Sequence, residues 1–258
     1  MLGGAVQRCL HSTSVMNRFT QQRRYPLSER PTVMLDCGSV SVVSGAVATL
    51  IDRSGNGRDF AQSTAANRPT YTASDANFSG QPTMTFDGVN DALTRSTAYA
   101  GGTTRTVYSC VRPTAAVADS RIYSDQTGAV ASNSFIATDA TPYLYASYNN
   151  PVGTLTTKRQ AISTNTVYRT ATVIDPAVGS AAVPAYYLNG TSTGSYSATA
   201  ASNGSSLASG THGVGSVANG LASFFTGQIA AVIDCASTHS TGQIANVNEY
   251  LRARYQRI

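Results

Sequence analysis

The chain has no tryptophan, one lysine (Lys158) and two glutamates, Glu29 and Glu249. Charged residues make up only 12% of its 258 positions. A chain so poor in Glu and Lys is poor material for long surface helices. It has no apolar run of about 18 residues, so no transmembrane helix and no membrane partner are expected. Its histidines, His11, His212 and His239, lie far apart with no metal-ligand spacing. Its cysteines, Cys9, Cys37, Cys110 and Cys235, fit neither a zinc motif nor a compact disulfide framework. Cys37, Cys110 and Cys235 lie in or beside apolar runs and are expected to be buried free thiols, with a disulfide between two of them left open. There is no fixed-period repeat and no heptad pattern, which excludes a coiled-coil stalk.

What is plentiful is Gly, Ser, Thr, Ala and Tyr, the last in 14 copies. That mixture suits many short strands joined by polar turns. Charge is placed unevenly. Residues 1–30 hold Arg8, Arg18, Arg23, Arg24 and Arg30 against Glu29 alone, a net +4 out of +5 for the whole chain. Residues 1–31 read as a basic N-terminal arm, and residues 32–258 as a nearly neutral body with no reason to attract nucleic acid. The arm has two readings: an Arg-rich, acid-poor targeting segment of mitochondrial type, or an anchor that orders on a larger assembly.

From Pro31 onward, short apolar alternations are cut by turn signals every 8–12 residues, as in a sandwich or jelly roll. Strands are expected at 33–36, 40–43, 46–51, 84–86, 92–94, 106–111, 120–124, 134–137, 143–148, 166–174, 185–188, 194–198, 213–217 and 227–234. Asn189-Gly190 is a hairpin signal between two of them. One helix is expected near the C-terminus, capped by Ser240 or Thr241. Ile244, Val247, Leu251 and Tyr255 form its apolar stripe, and Arg252, Arg254 and Arg257 lie in its last turns. It is expected to cover one end of the core, the alternative being a surface that serves a partner.

Five stretches then take on a recognisable order. Arg53-Ser54-Gly55-Asn56-Gly57-Arg58-Asp59-Phe60-Ala61-Gln62 is followed by Arg68-Pro69-Thr70-Tyr71 and by Gly80-Gln81-Pro82-Thr83-Met84-Thr85-Phe86-Asp87-Gly88-Val89-Asn90-Asp91. Tyr186-Tyr187-Leu188-Asn189-Gly190 and Phe225-Thr226-Gly227-Gln228-Ile229-Ala230-Ala231-Val232-Ile233 complete the set. This order resembles the concanavalin A-like (laminin-G-like) domains of phage and bacterial proteins. The resemblance brackets residues 33–258, with its specific matches at the two ends and no signature in 115–165. It implies an all-β jelly-roll sandwich with an extended N-terminal arm and one C-terminal α-helix. Asp234-Cys235-Ala236 departs from the pattern, and a buried Asp234 needs a partner.

Glucanases of that fold carry paired carboxylates on one strand, and this chain has no Glu-x-Asp-x-Glu strand. No Gly-x-Ser-x-Gly elbow marks a nucleophile, since Gly213-Val214-Gly215-Ser216 fails the spacing. No enzyme is expected. Asp87 and Asp91 flank a turn and are either turn-bonding groups or a Ca2+ site, as are Asp52, Asn56 and Asp59. The reading that follows is a phage virion structural protein, a capsid-decorating, head-fibre or tail component. The arm arginines would dock it on other virion proteins, and homo-oligomers are open. The alternative is a carbohydrate- or receptor-binding lectin-like module directed at cell-surface glycans.

Overall fold

The computed structural model describes residues 31–97, 104–126, 134–149, 154–175, 184–193, 195–201, 211–217 and 219–257. The arm arginines Arg8, Arg18, Arg23, Arg24 and Arg30, with Cys9 and His11, lie outside the described residues. The strands are β1 (Val33–Val43), β2 (Ala46–Asp52), β3 (Phe60–Ala61), β4 (Thr70–Asp75), β5 (Gln81–Asp87), β6 (Leu93–Arg95), β7 (Arg105–Pro113), β8 (Ser120–Gln126) and β9 (Ser134–Thr138). They continue as β10 (Tyr143–Asn149), β11 (Thr154–Ala161), β12 (Tyr168–Ile174), β13 (Ala185–Leu188), β14 (Thr191–Ser192), β15 (Ser195–Ala201), β16 (Thr211–Val214) and β17 (Thr226–Cys235). One helix, α1 (Thr241–Tyr255), closes the described chain.

Every pairing is antiparallel, and the strands form two layers. The back layer runs β17–β7–β12–β13–β14, with β1 and β5 sharing the other edge of β17 and β4 beyond β5. The front layer runs β2–β3–β6–β16–β8–β9–β10–β11–β15. β1 belongs to both. Its first half pairs with β17 at Val33↔Asp234, and its second half pairs with β2 at Val40↔Leu50 after a register shift. This is an all-β jelly-roll sandwich, as the sequence implies.

Period-two alternation sorts the side chains. On β7, Val107 and Val111 enter the inter-sheet core with Leu35, Phe60, Phe86, Leu144 and Val232. Tyr108 and Cys110 point the other way, into a second core with Met34, Ala231 and Ile233. The buried helix residues are Ile244, Val247, Leu251 and Tyr255, the expected stripe, and they complete this second core. The helix therefore lies on the outer face of the back sheet, not over an end of the sandwich. Ser240 caps it in a full capping box with Gln243. Its C-terminal turn is tied to β1, where Arg254 Nη2 approaches Asp36 Oδ2 at 2.9 Å.

Four strands, β3, β4, β11 and the two-residue β14, lie outside the expected set, and the strands expected at 33–36 and 40–43 are one strand, β1. β3, β4 and β11 carry no strong alternation and form because neighbouring edges need partners. Asn189 and Gly190 do make a hairpin, with φ of 52° and 88°. Its second strand, however, is the two-residue β14, while Ser195–Ala201 crosses to pair with β11. Phe86 and Leu93 are both buried, as the Asp87–Asp91 turn requires. Cys37, Cys110 and Cys235 are buried free thiols.

Candidate functional site

The loop 52–59 is a self-bonded structure built around Asp52. Its Oδ1 accepts the Met34 and Ser54 amides at 2.9 Å each. Its Oδ2 accepts Ser54 Oγ at 2.7 Å and the Arg58 amide at 3.0 Å. Asp59 Oδ1 accepts the Asp52 amide at 2.8 Å, and Asn56 Nδ2 donates to the Thr32 carbonyl at 3.1 Å. The turn at 87–91 works the same way. Asp87 Oδ1 accepts the Val89 amide at 2.8 Å, and Asp91 Oδ2 accepts the Asp87 amide at 3.0 Å. Asp91 is buried, and desolvation raises its pKa to about 6, with the nearby Asp87 charge adding to the rise. Among the described residues, no group of three or more His, Cys, Asp or Glu is placed to hold a metal ion.

The strongest concentration of ionisable groups lies inside the sandwich. Arg105 opens β7 on the inward phase and is 4% exposed. Its Nε donates to Asp234 Oδ1 at 2.8 Å, and its Nη1 donates to Asp125 on the facing layer. Tyr123 Oη donates to Asp234 Oδ2 at 2.9 Å. The Tyr123 ring is stacked at 24° on His212, with centroids 6.0 Å apart. Arg105 Nη2 approaches His212 Nδ1 at 3.4 Å. Tyr123 Oη lies 3.2 Å from the same Nδ1. Burial, seconded by the Arg105 charge, lowers the His212 pKa to about 3, so the imidazole is neutral near pH 7. Asp234 thus has its partner. Asp125 and Asp234 are both ion-paired to this one buried guanidinium. The cluster ties β7 and β17 of the back layer to β8 and β16 of the front layer.

A second polar constellation lies on the outer face of the front layer. Leu144 and Ala146 point into the core, so Tyr143 and Tyr145 face outward. Tyr145 Oη donates to Asp119 Oδ1 at 3.2 Å. The same carboxylate accepts Arg121 Nε at 3.0 Å and Ser223 Oγ at 2.9 Å. Tyr145 stands opposite Arg159 of β11, whose guanidinium lies 4.8 Å from the Tyr143 ring centre. Burial pushes the Tyr145 hydroxyl well above the usual phenol range, and the Asp119 charge adds to it, so it stays a donor. Sequence reading missed both clusters. The inward phase of Arg105 was available from the alternation of β7. Asp119 and Tyr145 come together only through loops that no motif marks.

No protein-family model matches the chain. No curated protein matches it in sequence. Solved structures do resemble it. The botulinum neurotoxin type G receptor-binding domain superposes with a TM-score of 0.59 at 10% identity, over 85% of this chain and 51% of that one. Domain 4 of AbnA, a GH43 extracellular arabinanase from Geobacillus stearothermophilus solved with arabinotriose, gives 0.54 at 11% identity, over 85% of this chain and 98% of that one. A Trypanosoma rangeli sialidase in complex with 2,3-difluorosialic acid gives 0.55 at 11% identity, over 86% of this chain and 33% of that one. The chain thus spans about half of the toxin domain and a third of the sialidase. At such identities the likeness establishes the fold: a β-sandwich of the broad concanavalin A-like kind.

Proposed function

We propose that this protein is a non-enzymatic, lectin-like module that binds carbohydrate on a receptor or cell surface. The observation that carries the reading is the superposition on nearly the whole of a domain that was solved holding arabinotriose. The interior supports the non-enzymatic part, because its carboxylates, Asp125 and Asp234, are both committed to Arg105. A glycan array probed with the full chain is expected to give saturable signals for a restricted set of sugars. A flat array at high protein concentration overturns the reading.

A second reading, a phage virion component docked through its N-terminal arm on capsid or tail proteins, is supported by the charge of residues 1–30 alone. Its test is incorporation. Particles assembled with a chain lacking residues 1–30 should lose the protein, and retention of it rejects the anchoring role of the five arginines.

A further inference from the structure

We propose that the free edge of β1, residues 39–43, is the pairing strand of a symmetric dimer, and that its partner is the same strand of a second copy of this chain. The inference stands apart from the carbohydrate-binding reading, and a glycan array does not bear on it.

The first observation is the edge itself. Val33–Asp36 of β1 are paired with β17, whereas Val40–Val43 are paired with β2 alone. Among the described residues, no strand lies on the other side of this second half, so β1 is an edge of the front layer. Between Ser41 and Val42 the partners jump from Thr49 to Val47, so the extra residue is in β2 and β1 runs straight to the turn. Ser44 and Gly45 make that turn with φ of 52° and 79°, which holds the strand extended before any partner arrives. The open side of such a strand is a row of N–H and C=O groups that only another extended chain satisfies in full.

The second observation is what the edge lacks. Natural sheet edges are blunted by charge, by proline or by a bulge. Residues 37–51 hold no charged residue and no proline, and the bulge of β1 lies upstream, between Leu35 and Val40. Of the six large apolar side chains exposed among the described residues, Val42, Val43 and Ile51 belong to this one hairpin. An edge of this kind suits another uncharged strand. It offers no counter-charge to residues 1–30 with their five arginines.

The third observation is self-complementarity. Laid antiparallel on itself about Ser41, the strand places Val40 opposite Val42, Ser39 opposite Val43 and Ser41 opposite its own copy. Val40 packs against the inter-sheet core, and Val42 shares its face by alternation while remaining 40% exposed. Pairing therefore continues the front layer across a twofold axis and covers each Val42 with a Val40. The contact is isologous, so assembly stops at two copies. Five residues a side bury less than the roughly 1,200 Å² of a standard interface, so the dissociation constant should be on the order of 10–100 µM.

The test is sedimentation velocity on the full chain, from about 1 µM to about 500 µM. The weight-average mass should rise from that of the monomer toward twice that value. Ser41→Lys and Ser41→Glu each place like charges directly opposite one another on the axis, and each should raise the dissociation constant about fivefold. An equimolar mixture of the two variants sets Lys opposite Glu and should restore association. Leu221→Lys, on an exposed apolar side chain elsewhere, should change nothing. Ser41 is exposed, so both of its variants should keep the wild-type melting temperature. A full chain that stays monomeric throughout overturns the proposal and leaves the edge to residues 1–30 or to another protein. Association that Ser41→Lys does not weaken overturns the location. A mixture that fails to restore association overturns the twofold register.

Discussion

At the scale of single residues, Arg105 matters most to stability. Removing one partner of a buried ion pair leaves an uncompensated charge and costs about 3–5 kcal/mol. Arg105→Met strands two carboxylates and is expected to lower stability by about that much in urea unfolding. Asp234→Asn leaves Asp125 on the guanidinium and should cost less. Two other residues give opposite pH responses. His212 is neutral in the fold, with its pKa lowered from 6.5 to about 3. Below pH 6.5 the unfolded chain takes up that proton and the folded chain does not. Its contribution is whole above pH 6.5 and declines toward pH 3, at up to about 1.4 kcal/mol per pH unit. The Asp91 pKa is raised from 3.8 to about 6, so the fold takes up that proton first. Asp91 therefore opposes stability above pH 6, and this penalty is relieved as pH falls to 3.8. Asp91→Asn should be more stable than wild type at pH 7, by on the order of 1–2 kcal/mol. The difference should vanish below about pH 4 in pH-dependent denaturation curves, and a constant difference across pH rejects the assignment.

At the scale of elements, α1 was the most legible part of the chain. A 3.6-residue stripe, a capping serine and basic last turns are local signals, and each appears in the structure. Ser240→Ala removes the hydroxyl half of the capping box and is expected to cost about 1 kcal/mol. Leu251→Ala opens a cavity under the helix and should cost about 2–5 kcal/mol. Thermal melts of the two variants separate cap from core: the second shift should be at least twice the first. Short strands were less legible. β11 and β15 pair with each other and with no sequence neighbour of the Asn189-Gly190 hairpin. A turn signal fixes where a chain reverses, but not which strand it meets after the next crossing.

At the scale of the whole molecule, two layers share one inter-sheet core, and a helix seals a second core behind the back layer. The described body begins at Pro31, where Thr32 bonds the Asp234 carbonyl through its amide at 2.7 Å. A chain lacking residues 1–30 keeps every described core residue and is expected to melt within about 2 °C of the full chain. A large drop would show that the arm supports the body.

The sequence by itself determined the all-β class and the capped helix, and it offered the buried thiols and the bonded turns at 52–59 and 87–91 with a disulfide and a Ca2+ site still open. Each of these rests on residues close together in the chain, where periodicity and turn chemistry act. The tertiary structure alone decided where α1 lies, which strand β15 meets, and what surrounds Arg105. Arg105 and Asp234 are 129 positions apart, and Asp119 and Ser223 are 104 apart. No local pattern links residues so distant. They meet because two antiparallel layers must close over one core, and that closure brings charges from three strands to a single point.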